Sequence, residues 1–254
     1  MIKASLLRII ALLSLVSSLC SPAAFAMPDT SMPLAECKQT LDSLKTLMQG
    51  LPLPEHFNQP NPRRQGNEFD PMRYFTVFRH LSMLPGERID YVYLFLGGGG
   101  RPLLYTRPAD AAPLADAAAF EARFGKQSPP ILDPIRTDGS PQGWFELATF
   151  HLVAPHFYLR WHEGARFQMV ACDAAEVMPF VWEREIPAAI AALQARDLAP
   201  SIEMQGDEVI VELTVVRPQG VTSRVRLRIN TKAPHRVIEE SRSLLFSPAM
   251  LAPM

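Results

Sequence analysis

The strictest constraint on this chain is an alternation near its C-terminus. In VTSRVRLRIN, residues 221–230, Val225, Leu227 and Ile229 interleave with Arg224, Arg226 and Arg228. Successive side chains of an extended backbone point to opposite faces, so this period of two makes one face dry and the other wet. A helix of 3.6 residues per turn would scatter both sets around its axis. The flanking runs EVIVELTVV and HRVIEESRSLLF are joined to it by RPQG and TKAP, which carry turn-forming proline and glycine. The pattern predicts three antiparallel strands in a meander. A row of arginines can hold an anion, but Glu208, Glu212, Glu239 and Glu240 fall on the neighbouring strands. Cross-strand pairing of opposite charges accounts for Arg224, Arg226, Arg228 and Arg242.

Upstream the chain mixes periods. Leu34, Cys37, Leu41, Leu44 and Met48 recur at helical spacing, predicting a helix over 33–49 with Ser31 as cap and Gly50 as stop. Residues 73–83, rich in aromatic and β-branched types, read as a strand, against a competing helix from Pro71 in which Met72, Phe75, Phe78 and Leu81 share a face. RIDYVYLFL and LLYTR read as two more. Short helices are predicted over 114–124, 143–154 and 187–198, the last preceded by a capping pair, Asp173 and Glu176. HFYLRWH and residues 166–172 read as a hairpin. The expected fold class is α+β: a predominantly antiparallel β-sheet of seven or eight strands, with helices packed on one face. Residues 27–254 form one domain in this reading, and the proline-rich stretches 52–62 and 129–141 are loops within it.

The N-terminus bears on where such a chain folds. Lys3 and Arg8 precede and interrupt a short apolar run, and Ala24-Phe25-Ala26 offers small residues where a signal peptidase reads. Residues 1–26 therefore read as a cleaved signal peptide, giving a periplasmic or secreted protein. Lipidation at Cys20 is the minor alternative, because bulky Leu19 stands where processing needs a small residue. The expected mature chain keeps Cys37 and Cys172, an even pair that reads as a disulfide in an exported protein. Of 25 Lys and Arg, the leader removes two, leaving 23 against 26 Asp and Glu. That balance is not a nucleic-acid footprint, and no later stretch is apolar for the ~20 residues a membrane span needs.

The most conspicuous run is Gly97 to Gly100, between the two strands just described. A phosphate loop needs a helix after its glycines, and here Pro102 and LLYTR continue as a strand. The run reads as a hairpin tip. Tyr91 and Tyr93 share a face beside it, so a ligand site is expected at Tyr91, Tyr93, Gly98, Gly99 and His162.

Other chemistry has little purchase. His151, His156 and His162 lack the spacing of a zinc site, so no metal and no cofactor is expected. Ser140 lacks the strand–turn–helix context of a nucleophile elbow. No catalytic residue is assigned. The expectation is an exported, non-enzymatic binding or accessory protein of a bacterial-type cell envelope. Its alternatives are a periplasmic carrier of lipid or lipidated cargo and an envelope hydrolase without a readable motif.

Overall fold

The computed structural model describes residues 32–247 apart from 126, 128, 182, 184 and 185, and only the main chain at 161, 162 and 165. The expected leader, Cys20, the Ser31 cap and Trp182 lie outside the described residues. Within them the fold is α+β with antiparallel sheets.

Helix α1 (Leu34–Met48) turns Cys37, Thr40, Leu41, Leu44 and Leu47 inward, and Pro33 rather than a hydroxyl residue stands at its N-cap. The strand expected over 73–83 is mostly a 3₁₀ helix, Pro71–Thr76, started by Asp70, whose side chain accepts from Met72 N. The three- to four-residue spacing of Met72, Phe75 and Phe78 prevails there over aromatic strand propensity. Only β1 (Leu81–Met83) is extended, and it pairs with β4 (Ile135–Thr137). Between them come the hairpin β2 (Glu87–Phe95) and β3 (Gly99–Pro108), then α2 (Ala117–Phe124), ended by Gly125 at φ 64°.

Helix α3 (Pro141–Val153) is the centre of the molecule. Ser140 caps it by accepting from Gly143 N, and ten of its thirteen residues are buried, so it can only be an interior helix. It packs on β1 and β4 at one end and on the C-terminal sheet along its length.

After α3 the expected hairpin of 156–162 with 166–172 does not form. Phe157 and Tyr158 are both buried, breaking the alternation, and Tyr158 adopts φ 55°. The chain is thereby redirected: β5 (Arg160–Trp161) joins β3, while β6 (Met169–Ala171) joins the other sheet. Short 3₁₀ turns follow at Ala174–Glu176 and Met178–Phe180, then α4 (Ile186–Gln194).

The C-terminal meander forms as its alternation requires. β8 (Glu208–Val216), β9 (Thr222–Asn230) and β10 (Val237–Phe246) pair in order, with β6 and β7 (Ser201–Gln205) end to end along the far edge of β8. Val225, Leu227 and Ile229 are fully buried. On the wet face Arg226 meets Glu212 at 3.8 Å, and Arg228 meets Glu208 and Glu239 at 3.3 Å each. Among the described residues ten strands thus divide into three sheets rather than one of seven or eight, because β1, β4, β5 and β6 have only two or three residues each. Among the described residues, no helix is long and apolar enough to cross a membrane.

Candidate functional site

Cys37 and Cys172 form a disulfide, with Cα atoms 6.2 Å apart and a sequence separation of 135. It fastens α1 to the end of β6. Around it, charged side chains repeat the attachment. Lys38 pairs with Asp173, and Lys45 reaches Glu176 at 3.3 Å and Asp42 at 3.5 Å. Glu176 also accepts from Cys172 N at 2.6 Å, while Asp173 accepts from Glu176 N at 3.2 Å. The expected capping pair therefore braces the disulfide's own turn. Burial raises the Asp173 carboxyl, but the bond from Lys38 and that from the Glu176 main chain outweigh it and hold it below the usual range.

Below this clasp lies a cleft of about 1000 Å³. One wall is α1, through Leu41, Leu44 and Met48, continued by Leu51 and Leu53. The opposite wall is the stretch after α3, through Phe157, Tyr158, Phe167, Val170 and Phe180. Lys38, Asp42, Lys45, Asp173 and Glu176 also border it. The volume stands at the top of the ~300–1,000 Å³ range usual for small-molecule sites. It exists because 154–180 folds as short turns and strands, which cannot fill the groove beside a straight helix.

The polar groups of the walls are largely spent within the protein. Tyr74 Oη donates to Ala154 O at 3.1 Å, and Tyr158 Oη accepts from Phe69 N at 2.9 Å. Gln168 donates to Leu152 O and accepts from Arg242. His156 is the exception, since its Nδ1 is buried without a hydrogen-bond partner. Burial pushes this imidazole down to about 4, with Arg242 and Arg217 acting in the same direction and the Gln168 main chain opposing them. At neutral pH the walls thus offer chiefly carbon and an uncharged histidine.

The residues expected to form the site lie elsewhere. Tyr91 and Tyr93 do not wall a groove. Both have no exposed surface and neither borders the cleft. Tyr93 stacks on Phe57 with centroids 4.3 Å apart and donates to Tyr158 O at 3.0 Å. Tyr91 meets Phe157 edge-on at 4.8 Å, and the Arg64 guanidinium lies 4.3 Å from its ring centre. Gly98 is exposed at the tip, but Gly99 and Gly100 are covered by β5. A Cβ at Gly100 would stand 2.5 Å from Tyr93 Oη, so this glycine makes room for a core ring rather than for a ligand. The main chain of His162 follows β5 and so comes near Gly99; its side chain lies outside the described residues.

The remaining candidates are also placed. His151 Nε2 meets Glu240 Oε2 at 3.4 Å, away from the cleft, and that bond, with help from Arg242, takes Glu240 down to about 2. The closest imidazole–carboxylate pair is His80 Nδ1 to Asp138 Oδ2 at 2.7 Å, bordering a smaller polar recess. Ser140 beside it is no free nucleophile, because its hydroxyl donates to Asp138 and accepts from Gly143 N. Among the described residues no group of three or more His, Cys, Asp or Glu could hold a metal. The cleft escaped sequence reasoning because its two walls are more than a hundred residues apart. The one signal linking them was the pair Cys37 and Cys172. Comparison with protein-family models, with curated proteins and with solved structures finds no match.

Proposed function

We propose that this chain is an exported, non-enzymatic binding protein of a bacterial-type cell envelope, and that its ligand is a lipid or a lipidated cargo. The observation that carries this reading is the cleft beside α1: about 1000 Å³, walled by leucine, methionine and phenylalanine, with its charges at the border. An apolar chain entering it would exchange water for carbon, at ~25 cal/mol per Å² of apolar surface removed from solvent. The disulfide accords with an oxidising, extracytoplasmic setting. A hydrolase reading is less well supported, because the imidazole–carboxylate pairs of the described residues stand outside this cleft.

The test has two arms. The protein, expressed from its full-length sequence and purified without detergent, is examined by native mass spectrometry for retained acyl-bearing ligands. After organic extraction it is titrated with the neutral apolar dye N-phenyl-1-naphthylamine. We expect a retained mass in the first arm and saturable dye uptake in the second. Leu44→Trp and Val153→Phe, each filling the cleft from one wall, should weaken uptake ~tenfold or more while circular dichroism stays unchanged. Extracted protein that takes up no dye, or filled variants that bind as tightly as the parent, would remove the basis of the proposal.

A further inference from the structure

The dry face of the C-terminal sheet runs out at β10, and the way it does so is unusual. Every residue from 238 to 244 of this strand is exposed. Ile238 and Leu244, at 47% and 50%, are among the most exposed large apolar side chains of the molecule. Among the described residues β10 pairs only with β9, so none of them supplies a strand partner to its outer row of main-chain donors and acceptors. Free edges of this length are usually shortened, twisted or covered. Here register slips between 237 and 239 and between 244 and 246 leave a regular central segment between them.

The order of side chains along that segment is self-complementary. Reading outward from Ser241, Glu240 stands on one side and Arg242 on the other. Further out, Glu239 is matched by Ser243, while Leu244 falls toward Ile238, the extra residue of the first slip and thus just outside the regular run 239–244. Two antiparallel copies related by a two-fold axis at Ser241 would therefore set each Glu240 opposite the second copy's Arg242, and bring each Leu244 to the slip at the second copy's Ile238. Directly opposed residues in an antiparallel pair have Cβ atoms ~5 Å apart, close enough for charge and apolar contacts to count. Moving the axis to Arg242 or to Glu240 sets like charges face to face. An axis between two residues would oppose side chains of opposite faces, so the axis must pass through a residue. Of these three choices only the Ser241-centred register pairs the opposite charges.

We infer that β10 is a dimerisation edge, joining two copies of this chain through an antiparallel two-fold pairing centred on Ser241. The two five-stranded sheets then become one continuous sheet of ten. Such an interface is isologous, each residue meeting its counterpart twice, so a single complementary pair contributes twice over. Glu240 and Arg242 already touch within one strand, at 2.8 Å, so on pairing the four charges form an alternating square. A strand pair alone buries less than the ~1,200 Å² of a standard interface, so dimerisation depends on concentration. This inference does not rest on the cleft or its ligand.

Sedimentation velocity across a concentration series tests it, using the parent protein, Glu240→Arg, Arg242→Glu and an equimolar mixture of the two variants. The parent should dimerise reversibly. Each variant alone opposes like charges and should associate ~tenfold or more weakly. The mixture should recover dimers, because a chain with two arginines then meets a chain with two glutamates. Circular dichroism and the melting temperature of each variant report whether the fold survives. A parent that stays monomeric throughout overturns the inference. So does a parent dimer that both variants leave intact, which would place the contact on another surface or partner. Variants that fold but fail to recover association on mixing would likewise refute the register.

Discussion

Two regions of this protein are built from the same kinds of residue and come out opposite. Behind the glycine hairpin, Phe57, Tyr91 and Tyr93 interlock ring on ring with Phe157 and Tyr158, which also border the cleft, with centroids 4.3 to 6.4 Å apart. Even the buried charge there is answered: Asp90 takes bonds from Arg64 and from Arg107 Nε, the latter at 2.8 Å, and from Tyr91 N. Beside α1, by contrast, leucines, methionine and aromatics face a hollow. The filled region lies against two long, regular strands, whose side chains arrive at fixed intervals and interleave. The hollow one lies between a helix and a run of short turns, whose side chains have no common period. Aromatic density alone therefore does not reveal a site. What matters is whether the backbone opposite can bring a complementary surface.

Truncation separates the two regions most sharply. Phe57 has no exposed surface and touches three tyrosines. Phe57→Ala should cost about 4 kcal/mol, the transfer of the ring plus the void it leaves. Leu53, on the wall of the cleft, is only partly buried. Leu53→Ala should cost about 1 kcal/mol, because one side of that residue already lacks contacts to lose. Urea unfolding of the two variants gives the difference directly. Equal costs would mean that the cleft closes around Leu53 in solution, and the contrast would fail.

Next in size is the clasp. Cys37→Ser with Cys172→Ser opens a loop of 135 residues, and loss of such a crosslink should destabilise by about 3 kcal/mol. The effect should also be lopsided. Amide hydrogen exchange should quicken in α1 and residues 167–180 while β2 and β3 stay protected, since the latter owe nothing to the bridge. Uniform acceleration would show that the hollow region is no more independent than the filled one.

How much of this was legible follows the same division. The meander β8–β10 and helix α1 were readable because each carries a single strong period, and the disulfide because the two cysteines outside the expected leader leave one pairing. The sheet count was not, since β1, β5 and β6 are too short to show any alternation, and β7, SIEMQ, alternates over only five residues. The site was misplaced for a more instructive reason. Tyr91 and Tyr93 do share a face, as the period of two required, but a sequence cannot show that Phe57 and Tyr158 cover that face. The cleft arises between residues far apart in the chain, on an α1 whose apolar face was legible but whose incomplete covering was not.

His156 gives the smallest effect and bears on the hollow region alone. Its burial in the cleft wall takes the imidazole from 6.5 down to about 4. A base whose folded value is depressed binds fewer protons folded than unfolded between those limits. Stability is therefore undiminished above about pH 6.5 and falls as pH drops toward 4, approaching 2 kcal/mol of loss at about pH 5. The sign is opposite to that of a histidine held by a carboxylate, which would gain stability on acidification. His156→Phe removes the titrating group and keeps an apolar ring near Phe167, so its unfolding free energy should lose this part of the slope between pH 7 and 5. The filled region contributes no comparable step there, because burial raises its tyrosines well above neutrality. Urea midpoints of parent and variant at the two pH values measure the difference. An unchanged slope would mean that water reaches His156 freely, and a cleft wet to that depth would bind polar ligands as readily as apolar ones.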